Sequence, residues 1–262
     1  MGKMEETEKK TAPRGLSGAV LKWTAIVTMF IDHATAMAYI TWLVPLRRAA
    51  GISPILSAWE YQLYDILRAV GRPAFPIFCF LLVEGFFHTR DIRHYLGRLL
   101  VFGLISELPF DHALFGHLTW QYQNVYFTLF LGLLAVWSLS LIMEEGWRER
   151  PWTGQLLRVL GCAAVSAAAM GGAEILKTDY GWTGVAFILL LYLFRRRVWL
   201  RDLSAGLVLL TAGWIEMVGW IAFPLLHLYN GRRGPQPKYF FYAFYPAHLA
   251  LLWLLRFLYI GT

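Results

Sequence analysis

Apolar residues run nearly end to end along this chain, broken only by short basic or turn-forming stretches. Allowing ~17 to 25 residues for each crossing of a bilayer, the pattern predicts nine helices near 16–42, 70–89, 94–110, 124–143, 155–173, 180–194, 199–213, 215–229 and 239–259. The third, sixth, seventh and eighth are short. Broken, tilted or re-entrant segments are tolerated where protein or a water-filled cavity covers the backbone, and counts of eight or ten fit almost as well. The expected fold is all-α, a polytopic transmembrane helix bundle of about nine spans. Residues 15–262 form its single transmembrane domain, and the polar stretch 1–14 is a cytoplasmic tail. The apolar run after that tail exceeds a signal-peptide core and lacks a small-residue cleavage site, so it is expected to be retained as the first helix.

Composition agrees: 58% of residues are hydrophobic and 16% charged, too few polar side chains to cover a water-soluble fold of 262 residues. Charge adds a direction. In the nine-span reading, eighteen of the 24 Lys and Arg fall on one side, and the other six are Arg47, Arg48, Arg68, Arg72, Lys177 and Arg256. The positive-inside rule then places the amino terminus in the cytoplasm. The net charge of +7 is read mainly as this topological signal, with attraction to anionic lipid headgroups or an anionic cytosolic ligand. Nucleic acid is excluded as a partner, since no basic domain, zinc finger or aromatic stacking platform stands outside the membrane. Cys79 and Cys162 are the two cysteines, and they supply neither a disulfide framework nor a thiol zinc site.

Candidate chemistry lies where polar groups interrupt the apolar runs, because an ionisable side chain inside a bilayer costs a few kcal/mol and is retained for a reason (about 2.5–3.5 on insertion scales). Asp32 and His33 sit halfway along the first helix. Lys22 precedes His33 by eleven residues, about 20° beyond three full turns, so both project from nearly one face, ~16 Å apart along the axis. A cation at the membrane edge with an imidazole deeper on the same stripe suits a long ligand with an anionic end, such as a coenzyme A thioester. The same pattern is equally that of a topology anchor and a histidine paired with a neighbouring helix. The second helix carries Arg72, a proline at 76, then Glu84, His88 and Arg90. Glu84 and His88 share a face and suit a structural pair, a shared proton or a coordinated ion. No third metal ligand accompanies them, and no metal is expected.

Glu107 and Asp111 close the third helix, Asn124 opens the fourth and Asp179-Tyr180-Gly181 opens the sixth. Asn124 and Asp179 suit helix N-caps, yet Asp32, His33, Arg72, Asn124 and Asp179 all fall in the outer half of one topology. That predicts a shared polar cavity. Near the carboxyl end, Tyr229-Asn230-Gly231-Arg232-Arg233-Gly234, followed by Lys238, forms a turn-prone basic loop able to hold phosphate or simply to mark the cytoplasmic side. Tyr245, Pro246 and His248 enter the last helix as a second polar insertion, where His248 reads by default as a satisfied core histidine.

Taken in order, LKWTAIVTMFIDH at 21–33, GRPAFPIFCFLLVEGFFHTR at 71–90, LISELPFD at 104–111, QNVYFTLFLGLL at 123–134, DYGWTGV at 179–185, LYNGRRG at 228–234 and KYFFYAFYPAHL at 238–249 resemble the TraX family of bacterial membrane proteins. That family takes its name from a conjugation component that acetylates the amino terminus of pilin. Lys22 with His33 is also similar to the basic-residue, ten-spacer, histidine pattern of type-3 membrane acyltransferases, and the plan is similar to that of the lysosomal heparan glucosaminide acetyltransferase. The resemblance implies a multi-pass protein of the bacterial cytoplasmic (inner) membrane that transfers acetyl from cytosolic acetyl-CoA to an acceptor reached from the opposite side. His33 would be general base or transient acetyl carrier, and Lys22, Arg90, Arg232, Arg233 and Lys238 would meet the donor's anionic end. Lysine at 22, where arginine is commoner, meets a phosphate as a point charge without bidentate recognition.

A neutral imidazole suits removal of the acceptor's proton. Asp32 would orient it, or pair instead with Arg72 or Lys177, and Asn124, Tyr180 or Tyr245 would donate to the thioester oxyanion. The acceptor stays open among a pilin-like amino terminus, a sugar, a lipid, a peptide and a small amine. A small-molecule transporter and a noncatalytic membrane assembly factor fit the same topology. A transporter predicts repeat-related halves, which the sequence does not display, and no Gly-x-Ser-x-Gly motif or aspartate pair suggests intramembrane proteolysis.

Overall fold

A computed structural model describes residues 15–143, 151–237 and 239–260, and among them every regular element is helical. The polar tail 1–14 and Lys238 lie outside the described residues. Helix α1 (Gly18–Met37) continues through a π-helical segment, Ala38–Leu43, into α2 (Val44–Ala49). Then follow α3 (Ala58–Gly71), α4 (Ala74–His88), α5 (Ile92–Leu114), α6 (Val125–Ile142), α7 (Trp152–Ile175), α8 (Gly181–Leu193) and α9 (Val198–Ala212). A 3-10 segment, Ile215–Ile221, leads into α10 (Ala222–His227), and α11 (Phe240–Ile260) ends the described chain.

Among the described residues, four helices are long and apolar enough to cross a membrane: Ala58–His88, which joins α3 and α4, then Val125–Ile142, Trp152–Ile175 and Phe240–Leu258. The chain is a helical integral membrane protein. The 13 residues of α8 reach about 20 Å, short of a hydrocarbon core of roughly 30 Å.

Three predicted elements change. Residues 58–69, left outside the predicted helices, form most of α3, whose start is set by the Glu60 carboxylate accepting from the Ser57 N–H at 2.9 Å and the Ser57 hydroxyl at 2.6 Å. Glu60 also pairs with Arg47. The third predicted helix is not short, for α5 runs 23 residues and passes through Pro109. Its last turn is held by Arg256, which donates to the carbonyls of His112 and Ala113 at 3.4 and 3.2 Å. The segment predicted over 215–229 is a tight 3-10 turn followed by a short helix, not one continuous span.

The N-terminus of α1 is closed by the loop at 229–234, the stretch read as able to hold phosphate or to mark the cytoplasmic side. Carbonyls of Arg232 and Arg233 accept from Gly18 and Ala19 N–H, each at 2.8 Å, and the Arg232 N–H is taken by the Asn230 side chain at 3.0 Å. These backbone groups serve the helix end, which would otherwise leave donors unpaired. Gly234 is needed there, with φ of 71° and a Cβ position 2.6 Å from the Ser17 hydroxyl oxygen.

At the centre lies α8, apolar all round and packed by α4, α6, α7 and α9. Its Val185, Phe187 and Ile188 join Leu21 and Ile26 of α1, Ile77 of α4, Leu133 of α6 and Leu249 of α11 in one fully buried core. The outer faces stay apolar, as at Trp23 and Val27 of α1, Leu104 of α5 and Leu157 of α7, which suits contact with lipid tails rather than water.

Candidate functional site

The site grows from the close crossing of α1 and α3. A Cβ at Gly71 would collide with the Asp32 side chain, so glycine there lets the two backbones approach. The approach brings Arg68, one turn before Arg72 on the same face, onto Asp32. Arg68 reaches Oδ1 at 2.7 Å, and Arg72 Nη2 reaches Oδ1 and Oδ2 at 3.1 and 3.4 Å. Arg72 Nη1 meets Glu216, from the 3-10 segment, at 2.6 Å. Asp32 and Arg72 are each only 9% exposed, a depth at which unpaired charges would not be tolerated.

Tyr180 is unusual in its backbone. It caps α8 with φ of 64°, a left-handed conformation costing roughly 1–2 kcal/mol away from glycine. The position is held from several sides: its ring stacks on Phe75 at 3.7 Å and 6°, and the preceding Asp179 N–H donates to the Gln123 carbonyl at 2.8 Å. Asp179 accepts from the Tyr122 hydroxyl at 2.7 Å.

These groups enclose a cavity of about 830 Å³, lined among others by Asp32, His33, Arg68, Arg72, Tyr122, Glu174, Lys177, Asp179, Tyr180 and Glu216. Its charges are mixed and mostly paired. His33 is the imidazole at its wall, and its Nδ1 lies 2.7 Å from Nε2 of His248. His248 Nδ1 in turn lies 2.8 Å from the Phe244 carbonyl. Among the described residues His33 Nε2 has no hydrogen-bond partner, and it is the ring nitrogen left for the cavity.

Placement in α11 depends on Pro246. Proline has no N–H to return to Tyr242 one turn earlier, and the Tyr242 carbonyl is met instead by the Tyr126 hydroxyl at 2.9 Å. Tyr126 packs edge-on against Tyr245 at 5.3 Å, and Tyr245 does the same against His33 at 5.9 Å.

Of the residues singled out in the sequence, Asp32, His33, Arg72, Asp179 and Tyr180 share this cavity. His248 and Tyr245 stand behind His33. Asn124 does not join them. It is fully buried, caps α6 through Tyr126 N–H at 3.1 Å, and gives its amide to the Gly103 carbonyl at 2.9 Å and to Glu107 at 2.5 Å, so no donor is left for an oxyanion. Asp32 turns to the two arginines rather than to His33, and the group that orients the imidazole is His248. Glu84 departs too: its carboxylate binds Arg195 at 2.7 and 3.1 Å, far along α4 from the cavity, and His88 donates to the Glu84 backbone carbonyl rather than to its side chain.

Lys22 sits at the far end of α1, donating to Gln236 at 2.8 Å above the Phe241 ring. Arg90, Arg232 and Arg233 are exposed; the loop packed on the start of α1 carries the last two, which puts them at the Lys22 end of the molecule.

Arg68, Glu216 and Tyr122 escaped the sequence reading. Glu216 had a signal, being an acid at the head of an apolar run. Arg68 had one as well, since Ser57-x-x-Glu60 is a capping-box pattern announcing a helix that sets Arg68 one turn from Arg72.

The sequence profile described as TraX protein matches residues 17–256, from the cap of α1 almost to the end of α11. The chain belongs to the TraX family. It is also similar to a protein of Dichelobacter nodosus described as "Probable fimbrial assembly protein FimC, serogroup H1", with 34% identity over 259 residues covering 88% of this chain and 92% of the relative. No solved structure matches. The TraX-family match spans every element that builds the cavity, and it includes His33 and His248.

Proposed function

We infer that this TraX-family protein is an acetyltransferase of the bacterial inner membrane, acting in the assembly of a pilus or fimbria. It moves acetyl from cytosolic acetyl-CoA to an amine or hydroxyl presented in the cavity from the extracytoplasmic side. The observation that carries this reading is His33, an imidazole with one ring nitrogen engaged and the other left for an 830 Å³ polar cavity. Such a base removes the acceptor's proton as its heteroatom attacks the thioester carbonyl. Arg68 and Arg72 hold positive charge beside the oxyanion that forms, and Asp32 and Glu216 keep those cations tolerable inside the membrane. The acetyl-CoA nucleotide stays at the opposite end, where Lys22, Arg90, Arg232 and Arg233 meet its phosphates and the acyl arm follows α1 toward His33. In this reading the amino terminus is cytoplasmic, and the acceptor is a component of the surface fibre.

The test is thermal unfolding of purified protein titrated with acetyl-CoA, paired with an acetyl-transfer assay. Binding to the folded state stabilises by about 2.7 kcal/mol at a hundredfold excess over Kd. Parent and His33→Ala are expected to show equal stabilisation, with transfer lost in the variant. Well-folded parent that ignores millimolar acetyl-CoA would overturn the reading in favour of a noncatalytic assembly factor, the role that the relative's description as a fimbrial assembly protein favours.

A further inference from the structure

We propose that His248 is a positioning residue that fixes which nitrogen of His33 is basic, so the two histidines act as an ordered dyad with its lone pair at the cavity end. A backbone carbonyl only accepts hydrogen bonds. The Phe244 carbonyl lies 2.8 Å from His248 Nδ1, so Nδ1 carries the hydrogen of the neutral ring and Nε2 carries the lone pair. That lone pair faces His33 Nδ1 at 2.7 Å. His33 must therefore donate from Nδ1, which leaves the lone pair on its Nε2, the nitrogen without a protein partner among the described residues.

The geometry supports a directed bond. The two rings lie within 2° of a common orientation, centroids 5.0 Å apart, and His248 is held on its other side by Phe244 at 5.0 Å and Phe30 at 6.2 Å. His248 is 4% exposed and does not line the cavity, so it touches no substrate there. A histidine suits this position better than an aspartate because it is buried against Phe30 and Phe244: a neutral acceptor orients His33 without adding a buried charge.

In the transfer, which rests on the acetyltransferase reading, the acceptor's N–H or O–H proton passes to His33 Nε2 as its heteroatom bonds the acyl carbon. The thioester C–S bond then breaks, and the departing thiolate takes up that proton. While His33 is a cation its Nδ1–H bond to His248 Nε2 becomes charge-assisted and stronger. His248 needs no proton of its own at any step.

The experiment reads the tautomer directly, by nitrogen NMR of ring-15N-histidine-labelled protein in lipid nanodiscs, with the seven histidines assigned by substitution. The parent is expected to carry the His33 hydrogen on Nδ1. His248→Phe keeps the ring and removes the acceptor, and the Nε2–H form of His33 should grow. His248→Gln places an amide oxygen near the former Nε2 and should restore the parent tautomer, whereas His248→Asn, too short to reach, should not. Acetyl transfer by His248→Phe should fall about 10²-fold in kcat with KM kept, recovering at least tenfold in His248→Gln. A parent His33 protonated on Nε2, or a tautomer unchanged in both His248→Phe and His248→Asn, overturns the proposal. If the tautomer responds as described but the parent transfers no acetyl group, the positioning role stands and the enzymatic reading fails.

Discussion

At the scale of single residues, the site depends on one missing methyl group. Gly71→Ala would push α3 away from α1 at Asp32 and draw Arg68 and Arg72 off their carboxylate. It is expected to destabilise the protein by about 1–3 kcal/mol, the usual range for overpacking, seen as a lowered Tm. Arg72→Leu, which leaves Asp32 and Glu216 without their shared cation, should cost about 3 kcal/mol or more. Arg72→Lys should recover only part, since one ammonium cannot bridge two carboxylates as the guanidinium fork does. A Tm of Gly71→Ala at or above the parent's would refute the close-crossing argument. Asp32 and His33 were legible because charged or titratable groups are conspicuous in an apolar run. The partner of Asp32 was not, because Arg72 and Lys177 were equally plausible by topology and only helix crossing chose Arg72, with Arg68 beside it.

At the scale of elements, prolines and caps decide where polar backbone is released. Pro246 frees the Tyr242 carbonyl for Tyr126 and sets the register in which His248 faces His33. Pro246→Ala would return that carbonyl to the helix ladder and take it from the Tyr126 hydroxyl. Thermal stability should stay at or above the parent's while acetyl transfer falls, and an unchanged rate would count against the role given to the proline. Most helices could be read from hydropathy with boundaries off by a few residues, because burial in lipid demands continuous apolar runs. The misses share a cause. Helix α3 has an exposed, mixed face, with Trp59, Leu63 and Ile66 among charged neighbours, and an average over hydropathy hides it although its capping box was visible. The 3-10 turn before α10 is invisible to hydropathy altogether, since it changes the backbone path and not the side-chain polarity.

At the scale of the molecule, the proposed orientation makes a direct prediction. In a background with Cys79→Ala and Cys162→Ala, a membrane-impermeant maleimide should label Trp120→Cys in intact spheroplasts and Arg196→Cys only after permeabilisation; the reverse pattern would invert the topology. The sequence alone was enough for a helical membrane protein of the TraX family and for the approximate ends of most of its helices. The helices follow from hydropathy, which acts residue by residue along the chain, and the family from short motifs kept in order. The tertiary structure decided the pairs: His33 with His248 across 215 positions, Arg72 with Glu216 across 144. Such pairs depend on which faces of separate helices meet, set by small residues at crossings and by backbone breaks, and no one-dimensional pattern records which faces those are.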